Sequence, residues 1–177
     1  MANQIDKWRE NKRNFLQRQR EKGLCLECVN PVMEGKSRCE KHILDRRQKE
    51  AEKRKNSVSK NLCYYCHKLP QLSNHKSCET CYLKHVSMRH FGTAECWNNL
   101  KDIFDNQQGK CALSGLPLTL GLNADLDHIT PKLQGGCDEL GNVQWVLNIV
   151  NNFKSGMLES DFFNLIKSIY ETMQPRY

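Results

Sequence analysis

ADLDHITPKLQGGCDELGNVQWVLNIVNNFK, residues 124–154, says more about architecture than any other segment of the chain. Ala124-Asp-Leu-Asp-His-Ile129 reads as a short strand, closed by Thr130-Pro131 because proline cannot donate to a sheet ladder. Gly135-Gly136 opens a loop. Val143, Trp145 and Leu147 alternate as in a second strand, and Leu147, Val150 and Phe153 then recur at the spacing of a short helix. Three places in this run carry chemistry: Asp127-His128, Asn142 and Asn151. Successive side chains on a regular strand face opposite sides, so Asp127 and His128 share a site only where the strand ends. Asn151 and Lys154 are three apart and neighbours on one helix face. A carboxylate, an imidazole and a carboxamide brought together suit phosphodiester hydrolysis, which uses a hard cation held by oxygens and a base for water.

Outward from this segment, the pattern is that of a small α+β domain. Upstream, Cys96, Leu100, Ile103 and Phe104 recur at helical spacing and stop before Gly109. Lys110-Cys-Ala-Leu-Ser-Gly-Leu-Pro-Leu118 reads as a hairpin or a knuckle-shaped turn. Downstream, Leu158, Phe162, Leu165, Ile166, Ile169 and Met173 mark a closing amphipathic helix.

Further upstream the chain repeats itself. GLCLECVNPVMEGKSRCEKHI, from Gly23, aligns with NLCYYCHKLPQLSNHKSCETCYL, from Asn61, at a shift of 38 between Cys25 and Cys63. The first copy offers Cys25, Cys28, Cys39 and His42; the second offers Cys63, Cys66, Cys78 and Cys81. A Cys-x-x-Cys turn presents two sulfurs to one point, and a second pair completes the tetrahedron that zinc prefers. Lys36 and Lys76 stand close enough in sequence to favour thiolates. Disulfides or thioredoxin-like redox chemistry are the competing readings, and the latter lacks its strand–helix context. Both sets are complete, so the expectation is two structural Zn2+ with no open position for catalysis. His67, His75, His85 and His90 are spare ligands, surface residues or phosphate contacts. Cys96, Cys111 and Cys137 read as packed thiols rather than a third site.

The chain has 177 residues with 38% hydrophobic and 27% charged, a modest core for one or two small domains. Its net charge of +7 is uneven: residues 1–60 contribute +8, residues 61–110 +2 and residues 111–177 −3. A basic front half suits a polyanion, although solubilising charge explains it as well. Residues 1–22 read as a basic helix or arm, 23–43 as the first knuckle, 44–60 as a basic linker, 61–92 as the second knuckle and 93–177 as the α+β domain. In the linker, Arg46, Arg47, Lys53, Arg54 and Lys55 either follow a DNA backbone or form a solvated helix. No apolar run has the length of a membrane span and no secretory signal leads the chain, so a cytoplasmic protein without membrane partners is expected.

LDHITPKLQGG followed by GNVQWVLNIVNNFK resembles the HNH endonuclease family, whose catalytic domain has the ββα-metal fold. The match runs from about Lys110 to Phe153 and onward into the helix ending near Met173. The knuckles resemble those preceding this domain in some phage-type and bacterial HNH proteins. The resemblance implies a metal-dependent endonuclease acting on double-stranded DNA. Within it His128 is the general base, and Asp127 and Asn151 bind one Mg2+ (or Mn2+). Asn142 braces the loop and orients His128, and Lys154 contacts a phosphate or is an exposed helix charge. Many relatives carry Cys-x-x-Cys pairs around the motif. Here the corresponding positions are Cys111 with Ser114 and Leu147 with Val150, which leaves the domain to its apolar core. A homing or phage-type role follows from the same analogy. Nicking against double-strand cutting, recognition sequence, and monomer against homodimer stay open. The alternatives are a catalytically inactive zinc-stabilised DNA-binding or regulatory protein, and a knuckle adaptor for RNA or protein that accounts only for residues 1–92.

Overall fold

Three times along the chain a helix ends in a residue of positive φ and runs into a cysteine-led turn. The computed structural model describes residues 4–173. Helix α1, Gln4–Glu21, is followed by Gly23 at φ 63°; α2, Glu40–Ser59, by Asn61 at φ 55°; and α4, Trp97–Asn106, by Gly109 at φ 63°. Glycine and asparagine are the residues that reach this region cheaply, so helix termination and turn entry are written locally. In each turn the leading cysteine donates its N–H back across the loop, Cys25 to Asn30 O, Cys63 to Leu69 O and Cys111 to Leu116 O, all at 2.8 Å. The loops close as bridges onto Pro31, Pro70 and Pro117.

The first two turns deliver the chain into helices that carry the remaining Cys or His donors, α2 and α3, Glu79–Phe91. The third leads into strand β1, Ala124–His128, which pairs antiparallel with β2, Val143–Leu147, before helix α5, Asn148–Lys154, and helix α6, Glu159–Met173. The Leu147 N–H donates to Cys111 Sγ at 3.3 Å. The N–H groups of Cys39 and Cys78 donate to Cys25 and Cys63 in the same way. The third turn therefore keeps the knuckle scaffold at Cys111, Ser114, Leu147 and Val150 with one thiol in place of four ligands.

The chain divides into two units, Met1–Asn56 and Ser57–Tyr177. The boundary falls inside α2, and the expected linker, residues 44–60, takes in all but the first turn of that helix. Residues 61–92 and 93–177, expected as separate domains, are one unit. Leu83 and Val86 of α3 are buried in the same cluster as Leu100, Leu126, Val143, Trp145 and Val146. Burial of each such side chain stabilises by roughly 1.5–3 kcal/mol, so the second knuckle's helix is part of that core rather than an appendage. Trp145 is its centre. The indole N–H donates to Leu100 O at 2.9 Å, the ring meets Phe104 edge-on, and Gln107 caps the Trp145 backbone through both amide atoms.

Two expectations about packing fail. On α6 only Phe162 is buried, while Leu165, Ile166, Ile169 and Met173 stay exposed because no described element covers that stripe. Of the three spare cysteines Cys111 is buried and Cys96 half-buried, but Cys137 is exposed, since it sits in the loop between the strands. Among the described residues, no helix is long and apolar enough to cross a membrane.

Candidate active site and metal centres

Both Cys/His sets converge. Cys25, Cys28, Cys39 and His42 form one cluster, and Cys63, Cys66, Cys78 and Cys81 the other, with donor atoms in each within 4.8 Å of one another. Cys25 Sγ and Cys39 Sγ each lie 3.3 Å from His42 Nδ1, Cys28 Sγ is 3.7 Å from Cys39 Sγ, and Cys66 Sγ is 3.8 Å from Cys78 Sγ. Metal–sulfur bonds of about 2.3 Å and metal–nitrogen bonds of about 2.0 Å place tetrahedral donors roughly 3.5–3.8 Å apart. The clusters are compatible with structural zinc. All ten cysteines are free thiols.

Burial works against the Cys25 thiolate, but N–H groups of Cys39 and Glu27 and the His42 ring donate to the sulfur and bring its pKa down to about 6. Cys63 reaches about 6 against its own burial through N–H groups of Cys66, Cys78 and Tyr65. Burial and then the neighbouring sulfurs of Cys78 and Cys63 push Cys81 up.

In the strand–loop–strand–helix segment, Asp127 pairs with Gln144 and His128 with Val143 across the ladder. The pleat sends their side chains to opposite faces. His128, 14% exposed, lies with its Nε2 2.8 Å from Asp138 Oδ1, and Lys132 Nζ donates to Asp138 Oδ2 at 2.7 Å. Lys132 and then His128 hold the Asp138 carboxyl below its ordinary 3.8. An ionised carboxylate only accepts, so Nε2 carries the proton and a neutral His128 ring keeps its lone pair on Nδ1. The contact to Asp138 thus fixes the orientation of the ring.

Asn142 braces the loop. Its Oδ1 accepts from Thr130 N at 2.8 Å, its Nδ2 donates to Thr130 O and Cys137 O, each at 3.0 Å, and its carbonyl accepts from Ile129 N at 2.9 Å. The clamp leaves no room at Gly136, where a Cβ would fall 1.8 Å from Thr130 O. The second glycine of the Gly-Gly pair serves this close approach.

On the other face Lys154 is corrected. It is neither a surface charge nor a phosphate contact: its side chain is fully buried, and Nζ donates to Asp127 Oδ1 at 3.2 Å, Asp127 Oδ2 at 2.9 Å and His128 O at 2.9 Å. Three acceptors satisfy all three ammonium protons, which is the condition for burying lysine. Gln144 Nε2 adds a bond to Asp127 Oδ2 at 3.2 Å. Asn151 stands half-buried one turn earlier on α5. Asp127 and Asn151 in this arrangement do not fit a hydrated Mg2+ or Mn2+. Both oxygens of a carboxylate only 7% exposed already receive an ammonium, whereas Mg2+ keeps several of its waters. A divalent ion at Asp127 requires Lys154 to withdraw.

On α2, Arg46, Arg47, Lys53 and Lys55 are exposed, while Arg54 is half-buried and pairs with Glu50 at 3.3 Å. Sequence reasoning missed Asp138, Lys132 and Gln144 and left His90 undecided. None has a spacing signal, because loop closure and strand register bring each into place. Comparison with protein-family models, curated proteins and solved structures returns no match.

Proposed function

We propose that this chain is a DNA endonuclease of the HNH type, its ββα-metal segment running from β1 through α5, with His128 as the base that activates water. The observation that carries the reading is the His128–Asp138–Lys132 relay at the open end of β1, held by the Asn142 clamp. Water gives a proton to Nδ1 of His128 and its oxygen attacks phosphorus, while the bond to the leaving 3′ oxygen breaks and that oxygen takes a proton from solvent to depart as the hydroxyl. Asp138 keeps the ring in the productive tautomer, and Lys132 keeps Asp138 ionised. The two knuckles, as structural zinc sites, and the exposed Arg46, Arg47, Lys53 and Lys55 supply duplex binding through phosphates. Mg2+ or Mn2+ belongs to the family pattern, and no step is routed through it here.

The Asp127–Lys154 pair favours a second reading, a DNA-binding or regulatory protein whose nuclease segment is silent. Supercoiled-plasmid cleavage by zinc-loaded wild type and His128→Ala, with Mg2+, with Mn2+ and with neither, separates the two. Nicked or linear product that disappears in the variant while DNA binding persists supports the nuclease. Cleavage only with added Mg2+ or Mn2+ means that Lys154 yields Asp127, whereas cleavage without either assigns the reaction to the chain's own side chains. Binding without cleavage by wild type under every condition selects the second reading.

A further inference from the structure

The helix of the second knuckle brings another imidazole to His128. Helix α3 runs alongside β1: Tyr82 Oη donates to Ala124 O at 3.2 Å at the strand's start, and the His90 ring centroid lies 5.7 Å from that of His128 at its end. The lengths agree, since eight helical residues rise about 12 Å and four strand steps about 13 Å. Leu83 and Val86, buried between these two points, fix the register, and Ser87 Oγ donates to Thr93 O at 2.6 Å just beyond. His90 is thus placed by the core rather than by a loop.

We propose that His90 is a substrate-contacting residue of the nuclease site, its ring N–H meeting a non-bridging oxygen of the phosphate that His128 serves. This rests on the nuclease reading given above. The ring centroids lie 5.7 Å apart with their planes tilted by 37°, so a phosphate seated at His128 lies beside His90 as well. Burial, then the charges of Arg89, His128 and Lys132, lower the His90 pKa, and only Asp138 opposes them. Of these, the positive charges of Arg89 and Lys132 are what would favour an anion beside the ring. Asp138, whose charge acts on His90, is committed to Lys132 and His128. A phosphodiester oxygen is the ligand that such a cluster fits.

Full-length His90→Leu and His90→Gln are compared with wild type and His128→Ala in plasmid cleavage over a range of DNA concentrations, with zinc content and circular dichroism as controls. Loss of one hydrogen bond to a charged oxygen lowers kcat/KM by about tenfold or more in His90→Leu. His90→Gln, which retains an N–H donor, recovers part of the rate. A packing role would not produce that recovery with zinc content and circular dichroism unchanged. Wild-type kcat/KM in both His90 variants, with His128→Ala inactive, overturns the proposal and leaves the nuclease reading standing. A second readout does not depend on cleavage: imidazole resonances are followed while a short DNA duplex is added to the zinc-loaded protein without Mg2+ or Mn2+. His90 and His128 shifting together, with one apparent affinity, supports the shared phosphate site even if no cleavage is found. A shift at His128 alone, or at neither ring, overturns it.

Discussion

Lys154→Met tests the balance on which the segment rests. The substitution preserves most of the side chain's apolar volume and removes only the ammonium. Because Lys154 is fully buried and Asp127 is 7% exposed, the carboxylate is left charged and uncompensated in the interior. Breaking one partner of a buried pair costs about 3–5 kcal/mol, a large share of the ~5–15 kcal/mol of a whole domain. The His128 carbonyl loses its 2.9 Å donor as well. With a urea slope of about 2 kcal/mol/M, the midpoint falls by about 2 M. The assay is urea unfolding in zinc-replete buffer, read by near-ultraviolet circular dichroism of Trp145 and its aromatic neighbours. Asp127→Asn/Lys154→Met regains much of the loss, since the stranded charge is gone. A midpoint shift below about 0.5 M, or a double variant as unstable as the sum of the two singles, refutes the buried-pair argument. Lys154→Met also frees Asp127, so Mn2+ affinity measured by calorimetry rises.

Three further outcomes follow from the geometry. Chelating zinc loosens residues 57–177 as a whole, because Leu83 and Val86 reach the shared core from the helix that carries Cys81; hydrogen exchange at the Trp145 indole accelerates, and metal analysis of intact protein gives two zinc ions per chain. Gly136→Ala destabilises by about 1–3 kcal/mol, since its Cβ forces the Thr130 carbonyl out of the Asn142 clamp; thermal unfolding measures the loss, and an unchanged midpoint refutes the close approach. His90 has a folded pKa below its ordinary 6.5, through burial first and neighbouring positive charges second, so the unfolded chain binds the proton more readily. The stability this neutral ring allows is present above pH 6.5 and is eroded as pH falls from there through the lowered value. His90→Gln flattens that limb of the stability–pH curve.

Residues 124–154 were legible because their signals are local. Thr130-Pro131 stops β1, Gly-Gly turns the loop, and the alternation of Val143, Trp145 and Leu147 reports a pleated strand. The knuckles were legible for the same reason, since Cys-x-x-Cys turns set their geometry within a few residues. Leu165, Ile166 and Ile169 lie on the expected amphipathic helix yet stay exposed, because periodicity shows that a helix has an apolar face without showing that anything covers it. Lys154 misled in the opposite direction: a lysine at a helix end normally reaches water, and only three acceptors at its tip make burial tolerable.

By itself the sequence determined the α+β class, the strand–loop–strand–helix order of residues 124–154 and the two metal-ligand sets, which rest on turn and strand signals written within a few residues. Tertiary structure alone decided that the second knuckle's helix shares a core with the strands and that Lys154 turns inward to Asp127. It also decided that Asp138, Lys132 and His90 surround His128. Those contacts join residues far apart in sequence or on opposite sides of a loop, and their pairing follows from how the helices pack on the sheet, which no local spacing records.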